Sequence, residues 1–186
     1  MVGDGEIKAL SCGRGFTLLL ARDGRVFSFG SGNRGRLGLG DEERRLAPQE
    51  VPGLRGVSAV CAGRWHAGAV AEGRCFTWGL GLTGGLGHGD GSTDALAPVA
   101  VEELAETQEL ELGGDLRVEG GQLRQFEASG AVDRAGAVRM WGADDYGLQG
   151  SGGAGEAARP RVLEGVRACP FGFLLPLPER ELPELV

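Results

Sequence analysis

The chain has 186 residues, a formal net charge of −7, four cysteines and two histidines. An acidic chain is poorly suited to binding dominated by nucleic-acid phosphates, so we do not expect direct nucleic-acid binding. No apolar run reaches the roughly 20 residues of a membrane-spanning helix, and residues 1–6 are acidic rather than leader-like. We therefore expect an intracellular protein of the cytoplasm or nucleus, with no membrane association.

A pattern of about fifty residues occurs twice in succession. Each copy has an apolar segment, a turn containing Gly, a segment of alternating aromatic and polar residues that ends at Gly, and a Gly-rich loop. Such a pattern predicts short strands without a helical period, and therefore an all-β repeat fold. The repeat positions shared by the two copies are Gly13 and Gly63, Gly24 and Gly73, Gly30 and Gly79, Leu37 and Leu86, Gly38 and Gly87, Asp41 and Asp90, and Pro48 and Pro98.

A third copy is recognisable in residues 137–150, with Trp141, Gly142 and Pro160 at positions matched by Trp78, Gly79 and Pro98. About fourteen surplus residues precede it. Residues 102–134 lack a recognisable Cys-Gly pair and apolar strand; residues 102–110 favour a short surface helix. Both an insertion loop and a reading-frame error would explain the surplus. The predicted boundaries are 1–56 for the first repeat, 57–101 for the second, 102–134 for the divergent segment, 135–164 for the third repeat core, and 165–186 for a truncated fourth start with a Pro-rich tail.

The strings Ser11-Cys12-Gly13 and residues 23–41 closely resemble the repeat of the regulator of chromosome condensation (RCC1) superfamily, and residues 61–98 match nearly as well. The resemblance implies an all-β propeller with four-stranded blades, complete at seven blades in the best-known members. This chain supplies about three of the seven, an incomplete ring. We expect a fragment of a longer protein; the alternatives are closure by self-association through open blade edges and a marginally stable fold.

Catalytic and metal chemistry find little support in the pattern. Cys12, Cys61, Cys75 and Cys169 form no Cys-x-x-Cys pair, so no zinc site and no cofactor is expected. The glycines recur at the repeat period, which favours turns over a nucleotide-binding loop. His66 stands where the first copy has Phe16, and this favours packing. We expect no enzymatic activity.

One short motif, Arg64-Trp65-His66, is similar to the Trp-Arg-His motif of plant ultraviolet photoreceptors of the same superfamily, with Trp and Arg exchanged. It occurs once here. Trp78 and Trp141 stand at strand ends, which favours a packing role over light sensing.

The resemblance implies a non-enzymatic interaction module that presents loops to a protein partner. Residues 7–56 carry nine Lys or Arg against five Asp or Glu, a balance that suits an acidic partner surface but is also typical of a solvated face without a partner. The alternative is guanine-nucleotide exchange on a Ran-like small GTPase, the activity of the founding member; a third possibility is a regulatory propeller within a larger kinase or ubiquitin ligase. The candidate partner-binding residues are Arg14, Arg34, Arg36, Arg44, Arg45, Arg64 and His88.

Overall fold

The computed structural model describes residues 6–89, 93–119, 122–144, 150, 156–168 and 174–176. Its regular structure is almost entirely antiparallel β-sheet, which confirms the predicted all-β class. Three sheets follow one another along the chain as blades, and within the described residues they do not close into a ring. Among the same residues, no helix has the length and apolarity needed to cross a membrane.

Blades 1 and 2 are four-stranded meanders of the same design, each with strands paired in chain order. A single 3-10 turn lies between the third and fourth strands, at Asn33–Gly35 in blade 1 and Leu82–Gly84 in blade 2. The strands of blade 1 are β1 (Ile7–Gly13), β2 (Phe16–Ala21), β3 (Val26–Gly30) and β4 (Arg45–Glu50). Those of blade 2 are β5 (Val57–Ala62), β6 (His66–Ala71), β7 (Arg74–Gly79) and β8 (Ala95–Ala100).

Blade 3 contains an insertion between its first two strands. The strands in chain order are β9 (Thr107–Leu112), β10 (Asp115–Glu119), β11 (Gln122–Phe126), β12 (Ala128–Asp133), β13 (Ala137–Gly142), β14 (Ala157–Ala168) and β15 (Leu174–Pro176). The sheet order is β15-β14-β13-β12-β9, whereas β10 and β11 form a separate two-stranded hairpin. The surplus residues of the third copy are therefore mainly this hairpin.

Two expectations for residues 102–134 were wrong. Residues 102–110 form a turn and the start of β9 rather than a short helix. The segment also contains the missing repeat features, because Gly113 stands 50 residues after Gly63 and β12 is the second strand of the blade. The signal was hidden because Leu112 replaces the small residue that precedes the Gly in the other copies.

The segment that suggested a fourth copy lies, as far as it is described, in blade 3. Residues 165–168 continue β14, and Val166 pairs with Pro176 of β15. β15 is an edge strand of this sheet. Proline lacks a backbone N–H and is therefore tolerated at an edge, where one side of the strand has no neighbour to bond.

The blades stack through the two faces of β6. Every residue of β6 is buried, since successive side chains point to opposite sides and a blade lies on each. Ala67, Ala69 and Ala71 belong to the apolar core shared with blade 1, where they pack with Phe16 and the leucines of β2. On the other side, Val70 belongs to the core shared with blade 3, together with Leu110, Leu112 and Trp141. Small side chains on β6 thus admit the large ones of its neighbours.

An indole at the end of the third strand joins each blade to the loop of the preceding blade. Trp78 Nε1 donates to the carbonyl of Arg36 (3.1 Å), and Trp141 Nε1 donates to the carbonyl of Gly85 (2.9 Å). Gly38 and Gly87 let the two indoles approach, because a methyl group there would lie 2.8 and 2.9 Å from Nε1. The repeat Gly and Trp positions therefore add hydrogen bonds between blades to the apolar cores that the blades share.

Candidate partner-binding face

The chain turns at two opposite edges of each blade, because sequential antiparallel strands alternate in direction. The connections after the first and third strands leave at one edge, which we call the loop face. Among the described residues of blades 1 and 2, the loop face is formed by residues 14–15, 31–44, 64–65, 80–89 and 93–94, and the inserted hairpin occupies the corresponding edge of blade 3. All seven candidate partner-binding residues belong to or border this face.

Two arginines from consecutive blades meet on one indole. The guanidinium carbons of Arg14 and Arg64 lie 5.0 and 4.8 Å from the ring centroid of Trp65, within the range of cation–π attraction. The Arg14 N–H also donates to the Arg64 carbonyl at 3.1 Å, which fixes the two turns against each other. Arg14 is exposed, Arg64 is half-buried, and Trp65 is 5% exposed. The arrangement presents two positive charges on a rigid support.

Arg36 lies beneath this pair rather than on the surface. It is only 6% exposed, and it donates from Nε to the Asn33 carbonyl (2.7 Å) and from a terminal nitrogen to the Arg14 carbonyl (3.0 Å). Burial lowers the pKa of its guanidinium from the ordinary value. Arg36 therefore supports the β1–β2 turn, and we remove it from the set of residues offered to a partner.

Arg34 connects the loops of blades 1 and 2. Its backbone is left-handed (φ 63°), and its guanidinium lies 3.1 Å from Asp94 Oδ2. The other oxygen of Asp94 accepts the Gly81 N–H at 2.9 Å. Because Asp94 already compensates its charge, Arg34 is a weaker candidate for an acidic partner than Arg14.

The two arginines at the start of β4 differ in their surroundings. Arg45 is paired with Asp41 at 2.6 Å and donates from Nε to Gln49 at 2.6 Å. The Asp41 pKa is lowered, chiefly by the hydrogen bond it accepts from the Glu43 backbone and further by Arg45. Arg44 is exposed and has no ion pair with the described residues. Arg44 is therefore the more available of the two.

His88 is engaged inside its own loop. Thr77 Oγ1 lies 2.6 Å from the Leu86 carbonyl and 2.9 Å from His88 Nε2. A carbonyl carries no hydrogen, so the hydroxyl donates to Leu86 and accepts from the imidazole. Its counterpart Ser28 donates to the Leu37 carbonyl at 2.7 Å. The Ser28 and Thr77 hydroxyls thus bind each loop to its own blade, a role that the repeat pattern did not indicate. The repeat position Asp90 lies outside the described residues.

Neither thiol chemistry nor metal binding is evident in the part of the chain that the structure describes. Burial raises the pKa of Cys61 to about 11, with a further contribution from Glu111, and that of Cys75 to about 12. Both thiols are therefore protonated at neutral pH and poor nucleophiles. The described residues hold no group of three or more His, Cys, Asp or Glu arranged for a metal ion. The loop face carries charges of both signs, with exposed Arg14 and Arg44 on the same face as exposed Glu42 and Glu43.

Comparison with known families and proteins agrees with the repeat pattern. Two models of the regulator of chromosome condensation (RCC1) repeat match this chain, one at residues 23–70 and one at residues 7–36. The chain is 34% identical over 167 residues to the ultraviolet-B receptor UVR8 of Arabidopsis thaliana, covering 86% of this chain and 34% of UVR8. It thus spans about a third of that relative.

Solved structures show the same fold. Human WBSCR16 superposes with a TM-score of 0.71 at 23% identity, over 89% of this chain and 39% of that protein. Prp20p of Saccharomyces cerevisiae, from a study of its binding to Gsp1p and histones, superposes with a TM-score of 0.52 at 19% identity, over 88% and 52% of the two chains.

Proposed function

This chain is built of RCC1 repeats, and we propose that it is a non-enzymatic protein-interaction module whose loop face binds an acidic surface of a partner protein. The observation that carries the proposal is the pair Arg14 and Arg64 on Trp65. Positive charges from two blades converge there on a support that restricts their motion. Since less side-chain entropy is lost when such groups bind, their contribution to affinity is larger than that of free surface arginines.

Arg44 extends the proposed surface along the loop after β3. Arg34 and Arg45 border it, but their charges are compensated by Asp94 and Asp41. We name Arg14 and Arg64, because they share the Trp65 ring, together with exposed Arg44 as the residues through which an acidic partner is recognised.

The test uses a charge-reversed variant, R14E/R44E/R64E, with fluorescently labelled peptides of ten residues rich in Asp and Glu as probes. We expect the parent chain to bind them with an affinity that falls as salt rises. The variant should bind at least about tenfold more weakly, equivalent to about 1.4 kcal/mol. Fluorescence anisotropy over a salt series measures both quantities.

A matched control is available at the opposite edge of the blades. Arg22 and Arg55 are 68% and 72% exposed there, and each is paired with a surface glutamate. R22E/R55E changes the net charge by four, against six for the test variant, without touching the loop face. Equal weakening in the two variants would show that binding follows net charge, and the assignment to the loop face would then be rejected.

Guanine-nucleotide exchange is the second candidate, because Prp20p, whose binding to Gsp1p was studied together with its structure, shares the fold. Exchange requires only that the nucleotide-free GTPase be bound more tightly than the loaded form. Release of a fluorescent GDP analogue from Ran measures it directly. No acceleration at micromolar chain would eliminate this candidate and leave the acidic-partner proposal unaffected.

Self-association through open blade edges is a further proposal for the chain by itself. Ile7 and Leu10 of β1 are 40% and 64% exposed, whereas Val57, the counterpart of Ile7 in blade 2, is 5% exposed. Sedimentation velocity over a concentration series should show association, and L10K should reduce it. A monomer at every concentration would contradict the proposal.

A further inference from the structure

The inserted hairpin of blade 3 stands apart from the sheets of the three blades. Its strands β10 and β11 pair with each other from Asp115 opposite Phe126 to Glu119 opposite Gln122. In the part of the chain that the structure describes, neither strand pairs with a blade or with a further strand. Because a two-stranded hairpin is only marginally stable in water, a third strand at one of its edges would stabilise it.

The base of the hairpin is fixed to blades 2 and 3. The Gly113 N–H donates to the Ala128 carbonyl at 2.8 Å, which closes the stem where the insertion leaves blade 3. The Glu127 N–H donates to Thr83 Oγ1 in the loop of blade 2 at 3.2 Å. The hairpin therefore projects from the loop face on an anchored stem, and its edges begin at defined positions.

β10 lies on the side of the arginine pair. Gly114, the residue before β10, is packed against Arg64, because a methyl group on Gly114 would lie 3.1 Å from Arg64 Cβ. β11 instead lies close to the Leu82–Gly84 turn of blade 2. The outer edge of β10 thus begins beside Arg64, which shares the Trp65 ring with Arg14.

The pairing register determines which backbone groups of β10 point away from β11. The strands are joined by two residues, and the pair that flanks such a connection exchanges both of its hydrogen bonds. Hydrogen-bonded pairs then alternate with non-hydrogen-bonded ones, so Glu119 and Arg117 bond inward to β11. The N–H and C=O groups of Leu116 and Val118 consequently point outward, where they can bond another strand.

We propose that an acidic segment of the partner binds in an extended conformation, as a third strand along the outer edge of β10. The inference rests on the proposed function of the loop face and adds the conformation in which the partner is bound. The backbone of the segment bonds Leu116 and Val118, and its carboxylates reach Arg64 and Arg14 at the base of the hairpin. The five residues of β10 extend over about 17 Å, enough for a strand of similar length.

The two features divide the work of recognition. A strand edge bonds the backbone of almost any extended segment, so it contributes affinity with little selectivity. The arginines beside the edge favour a segment that carries negative charge, and this attraction weakens as salt rises. An acidic extended segment therefore satisfies the edge and the arginine pair together.

Peptides of equal charge separate backbone pairing from charge attraction. The acidic ten-residue peptide is compared with the same peptide N-methylated at its four central residues, which removes backbone donors and leaves every carboxylate in place. We expect the methylated peptide to bind the parent chain about tenfold more weakly, since backbone hydrogen bonds are lost. Fluorescence anisotropy at one salt concentration measures both affinities. R14E/R44E/R64E should weaken the binding of both peptides.

Two proline substitutions at one cross-strand pair provide a matched comparison. Val118 of β10 lies opposite Leu123 of β11, and both N–H groups point away from the partner strand, so proline removes no bond within the hairpin. V118P should bind the acidic peptide about tenfold more weakly, whereas L123P alters the other edge and should keep the parent affinity. Deletion of residues 115–126 leaves two residues between Gly113 and Ala128, as between Gly13 and Phe16. The shortened chain should bind the two peptides equally.

Equal affinity of the two peptides for the parent chain would overturn strand addition, and so would equal losses in V118P and L123P. The peptide comparison uses the parent chain alone, so it decides even where a variant fails to fold. With either result, the weakening in R14E/R44E/R64E still tests the role of the arginines separately. No binding of either peptide to the parent chain would reject acidic recognition itself, and strand addition with it.

Discussion

The junction between blades 1 and 2 and the junction between blades 2 and 3 share three contacts at matching positions. In each, an indole N–H binds a loop carbonyl, and a loop glycine N–H binds the outer strand of the next blade. In each, a small side chain of the first strand accepts a backbone N–H of the next first strand. At the junction of blades 1 and 2 these contacts are Trp78 with Arg36, Gly40 with Leu96, and Ser11 with Ala62. At the junction of blades 2 and 3 they are Trp141 with Gly85, Gly89 with Ala158, and Cys61 with Leu112.

The junctions differ in the residue that begins the second strand. Phe16 makes the first junction apolar there, whereas His66 brings Glu127 and Ser129 into the second. Backbone-directed contacts therefore tolerate a change from an aromatic ring to a buried polar cluster beside them. The comparison indicates that the indole and its carbonyl determine how blades stack, while the side chain beside them varies from junction to junction.

Removing an indole should have the largest effect. W78A and W141A each delete a fully buried side chain between blades, and we expect a loss of about 3–5 kcal/mol in the free energy of unfolding. W78F retains a ring, as Phe29 does at the same position of blade 1, and should lose only about 1–2 kcal/mol with the hydrogen bond. Urea unfolding measures all three. Equal losses in W78A and W78F would show that the hydrogen bond, not packing, dominates.

Adding a side chain at Gly38, which lies against the Trp78 indole, should lower the free energy of unfolding by an intermediate amount. G38A places a methyl group 2.8 Å from Trp78 Nε1 at a residue with φ +70°, so steric conflict adds to backbone strain. We expect a loss of about 2–4 kcal/mol in unfolding free energy.

Gly40 supplies the control for that substitution. Its φ is +85°, but no atom lies within 4 Å of an added methyl group. G40A should therefore show only the strain of about 1–2 kcal/mol. If G38A costs no more than G40A, the close approach of Trp78 is not what selects glycine at position 38.

The contact between first strands should matter less. Ser11 Oγ accepts the Ala62 N–H at 3.0 Å, and S11A should cost about 1 kcal/mol. The matched change C61S replaces a sulfur acceptor by an oxygen at the second junction and should stay within about 1 kcal/mol of the parent. A large loss in C61S would show that packing of the sulfur outweighs its hydrogen bond.

The smallest expected effect is a difference in thiol reactivity between exposed Cys12 and the more buried Cys61 and Cys75, which can be measured on the unmodified fold. With pKa values of about 11 and 12, Cys61 and Cys75 are almost wholly protonated at pH 8, and the thiolate is the reactive form. Iodoacetamide at pH 8 should therefore label exposed Cys12 first, as read by peptide mass spectrometry in a C169S background. Labelling of Cys61 should rise only as pH approaches 11; rapid labelling at pH 8 would contradict its burial.

Much of the architecture was predictable because each repeat position meets a local constraint. Gly30, Gly79 and Gly142 all have φ near +100°, which a side chain rarely adopts, so they recur whatever surrounds them. Trp141 was recognisable for the same reason, since it directly precedes such a glycine. The candidate face was only partly predictable: the turns between the strands could be located from the sequence, but the sequence does not distinguish exposed Arg14 from buried Arg36.

The sequence by itself determined the all-β class, the period and the turns, because these depend on residues a few positions apart. Only the tertiary structure decided that Gly113 and β12 flank an inserted hairpin, that Arg36 lies beneath Arg14, and that His66 meets Glu127. These contacts join residues that are 15 to 61 positions apart on different strands or blades, from Gly113 with Ala128 to His66 with Glu127. Contacts over such distances leave no periodic trace in the sequence, and their charges and hydrogen bonds become defined only when the blades stack.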